Sequence, residues 1–107
     1  MEEFFNLIKK LVLSGEIRVS EHGFDELLAD DISINDIIKK VNSAKIVEFY
    51  PNYGKGKCIL LLHFDQAKEP IHILWGIPKG FNKPAVLITA YKPDKDKWDS
   101  EYLNRKR

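Results

Sequence analysis

Residues 58–78 read CILLLHFDQAKEPIHILWGIP, and this stretch decides the fold class. It contains two apolar runs, 58–64 and 71–77, which are separated by the turn-forming segment 66–70. Apolar residues at nearly every position are typical of strands that are covered on both faces. We therefore predict two central β-strands, with helices on one face and with loops or a partner on the other.

The segments on either side of this stretch complete the fold. Apolar residues at helical spacing predict helices over 2–14 and 21–30, and Ser33 followed by Asp36 predicts the start of a third. Two further strands are predicted over 44–50 and 85–91, whereas residues 17–20 are only short and β-prone. Residues 98–107 are expected to be helical at their start and frayed after it. The prediction is an α+β fold with N-terminal helices packed on a four-stranded, mainly antiparallel sheet.

Length and composition limit the chain to one small domain over residues 1–107. A chain of 107 residues, 44% of them hydrophobic, is the size of a single compact domain. The lone cysteine, Cys58, cannot form an internal disulfide, and no apolar run approaches the length of a membrane span. Glu2 and Glu3 stand where a secretory leader would carry positive charge. We therefore expect a cytoplasmic protein that does not associate with a membrane.

Charge is distributed unevenly along the chain. Residues 1–43 hold five basic and nine acidic side chains, a net charge of −4, and residues 44–107 hold twelve and seven, a net charge of +5. A polyanion such as RNA would meet the second half, unless the asymmetry is only that of a solvated surface. Candidate phosphate ligands there are Lys55 and Lys57, at a predicted hairpin tip, and Lys79, at a bend. Ordinary solvated turn lysines are the alternative.

Three histidines are candidates for chemistry, and His22 has the most informative position. Three imidazoles could bind zinc, but the spacing of His22, His63 and His72 does not favour a shared site, so no metal site is predicted. His22 lies in the first turn of the second predicted helix, where the helix N-terminus attracts anions. Glu26 follows one turn later and can orient the ring or share its proton. His22 is therefore either a proton-transfer group or a capping residue.

The end of the last predicted strand carries a second group of candidates. Thr89 and Tyr91 share one face of that strand, and Trp98 follows closely along the chain. Hydroxyl groups beside aromatic surface can bind a nucleotide by hydrogen bonding and stacking. For Tyr91 and Trp98 the alternative is simple packing in the core.

Several short motifs, taken in order, resemble one bacterial family. Ser20-x-His22 precedes a helix, and it is followed by Tyr50-Pro51, Pro70-x-His72 and Thr89-x-Tyr91-x-Pro93 ahead of Trp98. Their order is similar to that of the domain of unknown function 4258 (DUF4258) family over about residues 17–98, which leaves a basic tail over 99–107. Many members have arginine where this chain has Glu26.

The resemblance implies a fold akin to that of the RelE- and barnase-like ribonucleases. That group includes many toxins of toxin–antitoxin pairs. The resemblance also implies an antitoxin partner of the zinc-finger and helix-turn-helix type that accompanies MqsR-type toxins. Because chemistry depends on the site and not on the fold, these implications are expectations about function only.

The leading hypothesis is a metal-independent endoribonuclease, the toxin of a type II toxin–antitoxin pair, which needs no cofactor. A base removes the proton of the ribose 2′-hydroxyl, an acid protonates the departing 5′-oxygen, and cations stabilise the charge between them. His22 and His72 are the predicted base and acid, in either order, with support from Tyr91 and Glu26. The predicted RNA-binding residues are Lys55, Lys57, Lys79, Thr89 and Trp98, and either Tyr53 or Trp98 could stack a base.

A non-enzymatic protein-binding module is the alternative hypothesis. The acidic front half favours it, because a carboxylate at Glu26 would repel a phosphate placed beside His22. Unpaired strand edges could also join two copies of the chain into a homodimer.

Overall fold

The computed structural model describes residues 1–106, which form three α-helices and five β-strands. In order these are α1 (Glu2–Leu13), β1 (Ile17–Val19), α2 (Glu21–Ala29), α3 (Ile34–Lys39), a 3₁₀ turn (Val41–Ser43), β2 (Lys45–Tyr50), β3 (Cys58–Phe64), β4 (Pro70–Gly76) and β5 (Ala85–Tyr91). None of the helices in this part of the chain is long and apolar enough to cross a membrane.

The five strands form one mixed sheet in the order β1-β5-β4-β3-β2. Strands β2 to β5 are an antiparallel meander, as expected, but β1 pairs with β5 in parallel, from Ile17 opposite Ala85 to Val19 opposite Leu87. The prediction of four strands was therefore wrong by one strand. A segment of three residues carries little β pattern of its own, and it becomes a strand because β5 offers an unpaired edge.

One face of the sheet, the core face, is covered by helices. Helix α1 buries Phe5, Ile8, Leu11 and Val12, and α3 adds Ile37. They pack on side chains that alternate along the strands, with Ile59 and Leu61 on β3, Ile71, Ile73 and Trp75 on β4, and Ala85 and Leu87 on β5. Each fully buried aliphatic side chain contributes about 1.5–3 kcal/mol, so this face supplies most of the stability.

The C-terminal segment 98–106 packs on one end of the other face, which is called the open face here. Trp98 is buried with its ring edge-on to His72, the two ring centroids being 4.4 Å apart. A helix at the start of this segment was predicted wrongly. Asp99 instead accepts hydrogen bonds from the Glu101 and Leu103 backbone N–H groups and from the Asn104 amide, and these bonds close a compact turn. The expected fraying reaches Arg107, which lies outside the described residues.

Strand β1 pairs with the first residues of β5, and helix α2 then lies along the remaining edge of β5. The Ser20 hydroxyl accepts from the Gly23 N–H, which caps the helix, and donates to the carbonyl of Ile88. Gly23 permits the close approach, since a Cβ there would lie 2.7 Å from the Leu87 carbonyl oxygen. The N-terminus of α2 is thereby fixed against the end of β5.

Candidate active site on the open sheet face

Five ionisable side chains from four parts of the chain form a cluster on the open face. Glu48 and Tyr50 share a face of β2, His72 lies on β4 opposite Tyr91 of β5, and Arg105 comes from the C-terminal segment. Their charges influence one another, because Glu48 alters the pKa values of both His72 and Tyr91. Clusters of ionisable groups with shifted pKa values are typical of functional sites.

Glu48 and Arg105 form a two-point ion pair at one side of this cluster. Nε of Arg105 lies 2.9 Å from Oε2 of Glu48, and Nη2 lies 3.0 Å from Oε1. The hydrogen bonds from Arg105 hold the pKa of Glu48 below its usual value. The Tyr50 hydroxyl donates to the same carboxylate, and burial together with that bond raises the pKa of Tyr50 to about 12. Tyr50 therefore stays protonated at neutral pH.

His72 lies behind Tyr91 and is fully buried. Its Nε2 is 2.8 Å from the carbonyl oxygen of Tyr102, which can only accept, so Nε2 carries the proton. Nδ1 is then an acceptor, and the Tyr91 hydroxyl donates to it across 3.1 Å. Burial lowers the pKa of His72 and raises that of Tyr91, so at neutral pH the imidazole is uncharged and the phenol protonated. Only Tyr91 of this pair can touch a bound molecule.

His22 and Glu26 lie at the rim of the same face. The His22 side chain is 70% exposed, and its Nε2 is 3.0 Å from Oε1 of Glu26. The same oxygen accepts from the Ala90 N–H at 3.1 Å and from the Thr89 hydroxyl. Glu26 thus provides an acceptor for the backbone N–H of Ala90 in β5. This contact gives the acidic residue a structural role besides orienting His22.

A groove runs along the open face beside the cluster. It consists of two cavities of about 360 and 300 Å³ that share Tyr53 as a wall. Thr89, Tyr91 and Arg105 line one cavity, and Arg18 and Lys55 line the other. Within residues 1–106 every charged side chain that lines this groove is basic; Glu48 contacts Arg105 without lining it.

A third cavity, of about 490 Å³, lies at the end of the sheet and is called the end pocket here. Lys57 and Lys79 line it, together with Phe4, Tyr53 and Phe81. The predicted RNA-binding residues therefore separate. Lys55 and Thr89 belong to the groove, Lys57 and Lys79 to the end pocket, and the Trp98 ring to the packing around His72.

The third histidine, His63, faces the opposite side of the sheet. Its Nε2 accepts from Nε1 of Trp75 at 3.1 Å, and its Nδ1 has no hydrogen-bond partner. Burial lowers the pKa of His63 to about 3, so it is neutral in the folded protein. No group of three or more His, Cys, Asp or Glu side chains among the described residues is arranged to hold a metal ion.

Three members of the cluster, Glu48, Tyr50 and Arg105, were not predicted from the sequence. A signal existed for the first two, because a glutamate and a tyrosine two positions apart on a strand share one face. No local pattern indicates that Arg105 returns to meet a strand 57 positions earlier. The acid and base roles assigned to His22 and His72 stay predictions.

The α+β architecture and its polar cluster belong to a chain that matches one known family. A family described as "Domain of unknown function (DUF4258)" matches residues 19–92, and the chain belongs to this family. The match spans His22, Glu48, His72 and Tyr91 and ends before Arg105. Searches of curated proteins and of solved structures found no match.

Proposed function

We propose that the chain is a metal-independent endoribonuclease whose single-stranded substrate lies along the groove of the open face. The charge of that groove carries the proposal. The chain has 17 basic and 16 acidic residues, yet Arg18, Lys55 and Arg105 line the groove and, in the described part of the chain, no carboxylate does. A phosphate backbone matches such a surface.

Aromatic side chains favour a single strand over a duplex. Tyr50, Tyr53 and Tyr91 line the groove, and unpaired bases stack on such rings with little dependence on sequence. A double helix would keep its bases paired and could not use these contacts. The 2′-hydroxyl of RNA then supplies an internal nucleophile, so no metal-bound water is required.

The pair formed by Tyr91 and His72 supplies a base in this proposal. The phenolic oxygen takes the proton of the 2′-hydroxyl as its own proton passes to Nδ1 of His72. The 2′-oxygen then bonds to phosphorus, the bond from phosphorus to the 5′-oxygen breaks, and the product is a 2′,3′-cyclic phosphate. Arg105 stabilises the charge on the phosphorane. His22 is the candidate acid for the departing 5′-oxygen.

A cleavage assay with a matched pair of variants tests this proposal. The purified chain, with EDTA present, is expected to cleave single-stranded RNA to 2′,3′-cyclic phosphate ends and to leave DNA of the same sequence intact. Tyr91→Phe removes only the hydroxyl and should slow cleavage by roughly 100-fold or more. Tyr102→Phe is the control, because its carbonyl and not its hydroxyl is bonded to the cluster.

The nuclease proposal is overturned by a wild-type chain that cleaves no RNA with or without EDTA and arrests no growth when expressed. Cleavage by Tyr91→Phe at the wild-type rate would overturn the assignment of Tyr91 as the base.

The role as the toxin of a type II pair, with the RelE- or barnase-like kinship of the fold, belongs to the same proposal. The motifs that resemble the DUF4258 family support it through the toxin kinship that this resemblance implies, and a toxin of this kind acts on cytoplasmic RNA. Expression of the chain alone should arrest growth, and co-expression of the neighbouring zinc-finger and helix-turn-helix protein should restore it. Arrest that the neighbour does not relieve would separate the nuclease from the toxin–antitoxin assignment.

A non-enzymatic protein-binding module is the second candidate. Phe24 and Leu28 are 54% and 67% exposed and lie one turn apart on α2, beside the acidic Glu21 and Asp25. Exposed apolar side chains within an acidic surface suit a basic protein partner. Phe24→Ser with Leu28→Ser would abolish that binding and leave RNA cleavage unchanged.

A further inference from the structure

The end pocket carries an inference that does not depend on RNA cleavage. We propose that it binds a nucleotide unit, the base against its aromatic walls and the phosphate against its two lysines. Tyr53 and Phe81 are 51% and 72% exposed, although burial of such rings is strongly favourable. Stacking on a nucleobase would remove that apolar surface from water.

The charge of the pocket matches the phosphate of such a unit. Lys57 and Lys79 line it, and no acidic side chain does so among residues 1–106. Two ammonium groups without a competing carboxylate favour an anion. The amides of Asn52 and Asn82 also line the pocket, and each can both donate to and accept from the edge of a base.

The two loops that form the pocket are fixed to one another before any ligand arrives. The Lys79 N–H donates to the carbonyl of Lys55 at 2.9 Å, and the Ile77 N–H donates to that of Lys57 at 3.2 Å. Gly56, with φ +133°, allows this approach, since a Cβ there would lie 2.0 Å from the Ile77 carbonyl oxygen. A preformed site loses little entropy on binding. The volume of about 490 Å³ lies in the usual range for small-molecule sites.

The end pocket adjoins the groove, because Tyr53, Gly56, Ile77 and Pro78 line both. The nucleotide unit can therefore come from two sources. It is either a free mononucleotide or one nucleotide of an RNA strand that continues into the groove. The chemistry recognised is the same in both cases, and it requires no proton transfer.

Chemical-shift titration of the ¹⁵N-labelled chain tests the proposal. AMP, GMP, CMP and UMP serve as probes, with adenosine and inorganic phosphate as their separate parts. A nucleotide should shift the amide signals of residues 53–57 and 77–82 in a saturable manner and bind more tightly than either part. Phe81→Ala should weaken binding roughly fivefold or more, and Lys57→Ala with Lys79→Ala should weaken it similarly.

Matched controls and an oligonucleotide complete the design. Leu13→Ala removes an exposed apolar side chain from α1, and Lys39→Ala an exposed lysine from α3; both should leave binding unchanged. Tighter binding of a non-cleavable tetranucleotide with 2′-O-methyl groups identifies an RNA strand as the source, and equal binding identifies a free nucleotide. The proposal is overturned if millimolar nucleotide leaves these amides unshifted, if phosphate alone binds as tightly as AMP, or if Phe81→Ala binds normally. None of these results depends on cleavage.

Discussion

The two faces of the sheet are built from the same strands but have different coverings. On β4, Ile73 and Trp75 are buried under α1 and α3, whereas Leu74 between them lines the groove of the open face. Helices α1 and α3 bury side chains on the core face, whereas the C-terminal segment packs on the open face around His72. The difference shows that apolar character on both sides of a strand does not require helices on both sides.

Each face also encloses one histidine, and their bonding differs. His63 on the core face has an unpartnered Nδ1, whereas both ring nitrogens of His72 are hydrogen-bonded. An unpaired polar group in a core costs about 1–3 kcal/mol, so His63 is tolerated there because of the packing around it. His72 belongs to a polar network that reaches the groove through Tyr91. The core face therefore contributes stability, and the proposed chemistry would take place on the open face.

The largest expected effect is a difference in the free energy of unfolding between substitutions of two neighbouring residues, Ile73 and Leu74, which lie on opposite faces of the sheet. Ile73→Ala should lower the free energy of unfolding by about 2–5 kcal/mol, because it leaves a cavity under the helices. Leu74→Ala should cost less than half as much, because Leu74 is only partly buried and adjoins the groove. Urea denaturation of the two variants measures the difference, and equal losses would mean that the open face is sealed in solution.

Acid should lower the free energy of unfolding of the chain, because His63 is buried on the core face. Because burial lowers its pKa from 6.5 to about 3, the unfolded chain binds a proton in this interval and the folded chain does not. Stability is then complete above pH 6.5 and falls by about 1.4 kcal/mol per pH unit towards pH 3. His72 contributes in the same direction, since burial lowers its pKa too, but its bond to the Tyr102 carbonyl opposes the shift.

His63→Gln and His72→Gln separate the two contributions. Glutamine at 63 removes the titration and keeps an acceptor for the Trp75 N–H, so the slope of stability against pH should flatten more than for His72→Gln. Denaturation midpoints between pH 7 and pH 4 give both slopes. A wild-type slope in His63→Gln would show that this imidazole is not enclosed in the core.

How much of the fold was predictable depended on the length of each pattern. The seven-residue runs of β3 and β5 were predicted at their observed bounds, and Ser20 and Ser33 cap α2 and α3 as expected. The strand β1 and the C-terminal turn were not predicted, because three residues and a single Asp99 have no periodicity. Such short elements take their form from the edge or side chains that they meet.

The candidate site was predictable only where alternation along a strand assigns side chains to the same face of the sheet. Tyr91 was placed with Thr89 by simple alternation, and both line the groove. Whether a strand histidine faces the core or the open face could not be read from apolar runs, since both faces look alike in sequence. The contact between Arg105 and Glu48 depends on how the chain returns after β5, which no local spacing records.

The smallest expected effect concerns the C-terminal segment on the open face. Arg105→Gln should change the free energy of unfolding by no more than about 1 kcal/mol, because its ion pair with Glu48 is largely exposed and screened. The pKa of Glu48 should nevertheless rise, since the hydrogen bonds from Arg105 are the main cause of its lowering. Carboxyl ¹³C titration measures that shift, and Arg18→Gln, which removes another cation from the same groove, should leave it unchanged. A titration of Glu48 that is identical in Arg105→Gln and wild type would mean that the segment does not lie on the open face in solution, and the cluster would then lose the group proposed to stabilise phosphate charge.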